Sequence, residues 1–339
     1  MVSDGADRCY PETLDQPSIS QQDGKRLVAS HSSSLKVVYA ALAGNLAIAV
    51  TKFAAAAVTG SSAMLSEAIH STVDTGNELL LMFGMSRAER PADSGHPFGY
   101  GLQLYFWVFV VAVLIFGFGA VFSFIEGLRK IADPAPIRNV FVNYIVLGLA
   151  ILFETGSWYV AFREFSKQTN GQGWFRTVRR SKDPTVFAVL FEDSAALIGL
   201  VIALIGIGLG EILQMPVLDG VASLGIALVL AGTAIFLGYE SQSLLTGEAA
   251  YPEVRRGIEQ IARTAPGVHR INEVLTMHFG PEQVLAALSL DFDNAISAER
   301  VENAVAEIER RIKAEFPEVT RVFVEAKDFE MHRRRLERA

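Results

Sequence analysis

Six apolar stretches, each long enough to cross about 30 Å of hydrocarbon at 1.5 Å per residue, fill the chain before Leu245. They run Leu35–Val58, Ala63–Met85, Leu104–Leu128, Val140–Phe162, Val186–Gly208 and Val217–Leu237. In lipid, backbone polar groups must be satisfied inside the segment, so stretches of this length and composition have to be helices. Charged residues make up 20 % of the 339-residue chain and gather after the last stretch. This predicts a membrane α-helical domain of six spans over residues 34–245, a soluble domain over 246–330 and a basic tail over 331–339. Residues 1–33, with Pro11, Pro17 and Ser32–Ser34, have the composition of a disordered leader. They lack the basic start and apolar core of a signal peptide.

Basic residues near span ends set the orientation. One side carries Arg87, Arg90, Arg163, Lys167, Arg176, Arg179, Arg180 and Lys182; the other carries Arg129, Lys130 and Arg138. The first set is read as cytoplasmic, which puts both termini there and suggests a bacterial inner membrane. The net charge of −7 argues against a nucleic-acid partner. Cys9 is the only cysteine, so neither a disulfide framework nor a cysteine metal cluster is expected.

The second span is apolar yet carries Glu67, His70 and Asp74, which fall within about 60° of one another on a helix. Ionisable groups in a span are costly and face a partner, an ion or water. Imidazole and carboxylate at i, i+4 are half of a divalent-metal site, while a packing pair is the plainer alternative. In the fifth span Glu192 and Asp193 stand side by side, about 100° apart, so they cannot address one ion equally. Either one is a ligand and the other a partner for Lys52 or a serine, or both line an aqueous cavity without binding metal. Asn45, Glu78 and Glu154 are candidates for neighbouring groups or an ion path. Glu126 and Asp219 lie near span ends, where access to water favours a structural role. The Gly- and Pro-rich loop around Asp93 and His96 is either a second, weaker ion site or a tight turn.

After Glu248 the pattern changes. Pro252–Ala265 has one apolar helical face, Val268–Phe279 is rich in β-branched residues, and Gly280-Pro281 signals a turn. Val284, Ala286, Leu288, Leu290 and Phe292 alternate as in a half-buried strand. Ser297 opens a helix closed by Pro317, and Val319–Ala326 is a third strand. The order is αββαβ, with both helices on one face of a small sheet. The scattered His269, His278 and His332 form no ligand spacing.

Ser66–Asp74, His96–Gly101 and Asp219–Ser223, on six spans and an αββαβ domain, resemble the cation diffusion facilitators. The resemblance covers about Leu35 to Asp328, and Phe191–Leu197 is similar to the mitochondrial zinc-exporter branch of that family. It implies a homodimeric secondary transporter with a ferredoxin-like cytoplasmic domain. Such a protein exports divalent metal, commonly zinc but also manganese, iron or cobalt, in exchange for protons and needs no bound cofactor. It implies that His70 and Asp74 share the ion with two residues of the fifth span at i, i+4. Here the sequence departs, since those positions hold Phe191 and Ala195, or Glu192 and Ala196 in the adjacent register. The metal ligands are therefore read as His70, Asp74 and one or both of Glu192 and Asp193, with Glu67 or Glu154 as possible recruits. The rivals are a membrane metalloenzyme, for which the chain lacks a His-Glu-x-x-His, and a metal-sensing scaffold.

Overall fold

The structure is a computed structural model that describes residues 45–137, 139–168 and 184–336. The leader, the first ten residues of the first span, Arg138, the basic loop from Arg176 to Lys182 and the last three residues lie outside the described residues. Six helices come first in the described chain: α1 (Asn45–Thr59), α2 (Ser62–Ala88), α3 (Leu102–Ala132), α4 (Val140–Gln168), α5 (Pro184–Ile212) and α6 (Val217–Leu245). Four of them, α3 to α6, are long and apolar enough to cross a membrane. The long helix α2 is not among these, because Glu67, Asp74 and Glu78 interrupt its apolar run. α3 contains a π-helical stretch at Ile115–Ala120, where Gly117 and Gly119 lie.

Local sequence explains the joints. Gly60 turns α1 into α2 at φ +71, a conformation that favours glycine, and Ser61 caps α2 by accepting from the Met64 N–H. α3 and α6 cross with glycines face to face: a methyl group at Gly127 or Gly220 would meet the other's carbonyl oxygen at 2.9 Å. α5 packs along α4 and α6, and α2 packs against α3, α5 and α6. The helical core is aliphatic, built on residues such as Met64, Val108, Leu147, Leu190 and Ile226. Outward-facing Phe118, Leu152, Leu228 and Ile235 are more than 60 % exposed, as a surface that meets lipid requires.

The remainder is α7 (Pro252–Arg263), β1 (Val268–Gly280), β2 (Gln283–Phe292), α8 (Ala298–Glu315), β3 (Val319–Ala326) and α9 (Phe329–Leu336). The sheet order is β1-β2-β3, with β1 antiparallel and β3 parallel to β2. Pro252 sits in the first turn of α7, and Ser297 caps α8 by accepting from the Arg300 N–H. Val284, Ala286, Leu288 and Leu290 all point into a core with Ile258, Ile261, Ile308 and Ile312, the alternation the sequence predicts. Each Val, Leu or Ile among them contributes roughly 1.5–3 kcal/mol by leaving water. Where the sequence suggests a basic tail, the structure has the start of a docked helix. Arg270 lies over the Phe329 ring at 3.5 Å, and the Phe329 N–H donates to Asp291.

The hairpin tip touches the helical part. Phe98 stacks on Phe279 at 5.2 Å, and Gly101 lies so close to the Phe279 carbonyl that no side chain fits there.

Candidate metal centre

A narrow cleft opens between α1, α2, α4 and α5, lined by Asn45, Asp74, Glu78, Glu154, Glu192 and Asp193 among others. Helix periodicity puts His70, Asp74 and Asn77 on the face of α2 that meets α5. His70 is 1 % exposed, and neither ring nitrogen has a hydrogen-bond partner; its Nδ1 lies 3.3 Å from Asp74 Oδ1. Asp74 of α2 and Glu192 of α5 line the same cleft. Glu192 also accepts from the Asn77 amide. Asp193 turns the other way and accepts from Ser157 of α4 at 3.0 Å, and Trp158 donates to Ser194 at 2.9 Å.

The structure thus gathers His70, Asp74 and Glu192, and sets Asp193 on the α4 side of the same cleft. Among the described residues no three His, Cys, Asp or Glu side chains converge as tightly as a metal cage does. Glu78 accepts from Asn45 at 2.8 Å, and Glu154 faces the cleft from α4. Glu67 is fully buried and is held by Lys52.

Asp93 and His96 lie apart from this cleft, in the loop after α2. Asp93 accepts from the N–H groups of Gly95 at 2.9 Å and His96 at 2.7 Å, and from the Tyr100 hydroxyl at 2.6 Å. His96 packs on Tyr100 with ring centroids 4.1 Å apart. The Tyr100 hydroxyl, then the His96 and Gly95 N–H groups, hold the Asp93 carboxyl below its ordinary range. These bonds are those of a tight Asx-type turn. His269, His278 and His332 sit beside Asp293, the Gly280 carbonyl and Glu273 respectively, in three separate places.

Two features escape the sequence reading. Asn77 orients Glu192, yet an amide adds no charge to a hydropathy profile; its place one turn after Asp74 is the signal that could have found it. Asp219 does have the structural role expected of it, but water is not the reason, since it is fully buried. It accepts from the Ser61 hydroxyl at 2.6 Å, the Ser62 N–H at 2.7 Å and the Ala63 N–H at 3.2 Å, so α6 caps the start of α2. Lys130 of α3 completes the cluster, 3.8 Å from Asp219 and 2.8 Å from the Gly60 carbonyl.

The cation efflux transmembrane domain matches residues 38–246, and the cation efflux protein cytoplasmic domain matches 250–327. The mitochondrial proton-coupled zinc antiporter SLC30A9 of Xenopus laevis is 32 % identical over 263 residues, 77 % of this chain and 47 % of that protein. The Homo sapiens antiporter is likewise 32 % identical over 263 residues, 77 % of this chain and 46 % of that protein. Metal tolerance protein C4 of Arabidopsis thaliana is 28 % identical over 273 residues, 79 % of this chain and 59 % of that protein. The chain spans about half the length of the zinc antiporters it matches.

Proposed function

The chain belongs to the cation efflux family, and from that membership we propose that it is a proton-coupled secondary transporter exporting a divalent cation, zinc foremost, from the cytoplasm. The observation that carries this reading is the meeting of Asp74 and Glu192, from two helices, in one cleft, beside an imidazole whose ring nitrogens make no hydrogen bond. Two carboxyl groups and an imidazole gathered beside one cleft can take up a proton when no cation is bound. A divalent cation bound by the pair displaces that proton, so binding and deprotonation are coupled. Rocking of the helices around the cleft then turns metal binding on one side into proton binding on the other. His70, Asp74 and Glu192 are the proposed ligands. Asp193, Glu78 and Glu154, with Asn45, make up the approach. The naming of matched relatives as zinc antiporters supports the choice of cargo.

In this reading α1 to α6 are six spans of a transport domain over residues 34–245, and residues 246–330 form a cytoplasmic domain. Both termini are cytoplasmic, in a bacterial inner membrane. The basic residues Arg87, Arg90 and Arg163 near one set of helix ends support that side as cytoplasmic. The protein works as a homodimer. In support, α9 covers only part of the sheet face opposite α7 and α8, at Arg270, Glu273 and Asp291; beside it Leu275, Ala287 and Phe323 stand in one cross-strand row, with Leu275 56 % and Phe323 53 % exposed.

The test is flux in vesicles reconstituted with the full chain. An imposed pH gradient should drive zinc uphill, and zinc should release protons. Zinc, manganese, iron and cobalt all indifferent to the gradient would overturn the reading.

A further inference from the structure

Lys52 of α1 is fully buried among the transport helices. Its ammonium lies 3.3 Å from Glu67 Oε2 and donates to the Ser71 hydroxyl at 2.6 Å. These two partners bracket His70 on α2. The other Glu67 oxygen, Oε1, is buried, has no hydrogen-bond partner and lies against Gly199 of α5, where a methyl group would overlap it.

The end of α2 at Met85 and Ala88 lies beside the start of α5 at Thr185, so the two helices run antiparallel. Counting seven residues back from Asp74 gives Glu67, and seven on from Glu192 gives Gly199. The Glu67–Gly199 contact is therefore the layer just beyond the Asp74–Glu192 pair. Between these layers α5 offers only Ala195 and Ala196, both buried and neither able to bind an ion. Along α2, Glu67 is the next carboxylate an ion at His70 meets, and Lys52 already holds it.

We propose that Lys52 is a specificity-determining residue: its ammonium keeps Glu67 off the transported cation, so that the ion meets one imidazole and two carboxylates instead of three carboxylates. This rests on the ligand set of the preceding section. Imidazole with few carboxylates suits zinc, whereas an oxygen-rich set suits harder ions such as manganese. Without Lys52, a buried Glu67 carboxylate has no fixed counter-charge, and the nearest cation available to it is the cargo.

The experiment is the ratio of zinc to manganese flux in vesicles holding the full chain. Lys52→Met should lower that ratio by about tenfold or more, the scale on which partners of metal ligands act. The double variant Lys52→Met/Glu67→Leu, which removes both charges and keeps the volume, should return the ratio to that of the wild type. Glu67→Gln, which keeps Lys52, should leave the ratio unchanged. A ratio indifferent to Lys52→Met overturns the inference. If that variant does not fold, a raised ratio in Glu67→Gln or in the double variant overturns it, because Glu67 would already be a ligand. A wild type that moves neither metal overturns the transport reading itself, and this inference with it.

Discussion

Glu192 and Asp193 are neighbours with different fates, because one residue of helix is a turn of about 100°. Glu192 accepts from Asn77 on α2 and shares the cleft with Asp74, whereas Asp193 accepts from Ser157 on α4. We therefore expect Asp74→Ala or Glu192→Ala to abolish metal flux while the protein still elutes as a folded species. Asp193→Asn should cost no more than about tenfold, and Asn77→Ala about 10–100-fold by releasing Glu192. Flux of comparable size in Asp74→Ala and wild type would sink the assignment. His70 and Asp74 were legible because period and charge mark them within one helix. Which helix Glu67 leans toward was not, because that depends on how α1 is rotated to present Lys52. A second residue-scale prediction concerns Asp93. Its carboxyl is held below its ordinary range chiefly by Tyr100, so the turn gains stability from it above the ordinary aspartate range and loses that gain as pH falls through the lowered value. Asp93→Asn should thus melt below the wild type at neutral pH, with the two curves converging in strong acid. A gap that stays constant with pH would contradict this.

Helices depend on groups they do not own. The first N–H groups of α2 are satisfied by Asp219 of α6, and the approach of α3 to α6 depends on two glycines. Asp219→Ala would leave the Ser62 and Ala63 N–H groups without their buried acceptor and the Lys130 ammonium without its counter-charge, a cost of about 3 kcal/mol. The expected readout is a clearly lowered melting temperature in detergent, with Asp219→Asn milder; an unchanged one would show that water or another group replaces the cap. Gly220→Val should likewise lower it by forcing α3 and α6 apart. The elements after Glu248 were largely legible, since Pro252, Ser297, Gly280-Pro281 and Pro317 punctuate them in the chain itself. The start of α9 was not: Arg333–Arg335 reads as a solvated run, and what docks this segment is Arg270 over Phe329, a tertiary contact. The same limit applies to α6, which the structure carries on to Leu245, past the apolar stretch that announces it.

At the scale of the molecule, the exposed row that α9 leaves on the sheet decides what can assemble. Leu275 and Phe323 flank Ala287 beside the part of the face that α9 covers, and a second copy is the partner proposed for this row. Phe323→Asp should weaken dimerisation in detergent, and deleting the chain after Glu248 should do so as well, because either change removes that apolar row. Light scattering that finds the intact protein monomeric at concentrations where it transports would refute the dimer. The four long apolar helices α3 to α6 and the αββαβ order were visible in sequence because each is a local pattern. The uncovered row was not, because it needs the register of three strands at once.

Phe98 on Phe279, and Gly101 under the Phe279 carbonyl, have a consequence for anyone who cuts and rejoins this chain. Sequence invites a splice near Gly247, where the helices end. Yet the hairpin and the loop before α3 share one fitted seam, and a hairpin grafted from elsewhere would meet a foreign groove. A working chimaera has to inherit Phe98 to Gly101 together with the hairpin, so the unit of exchange is discontinuous in the gene although the modules look consecutive.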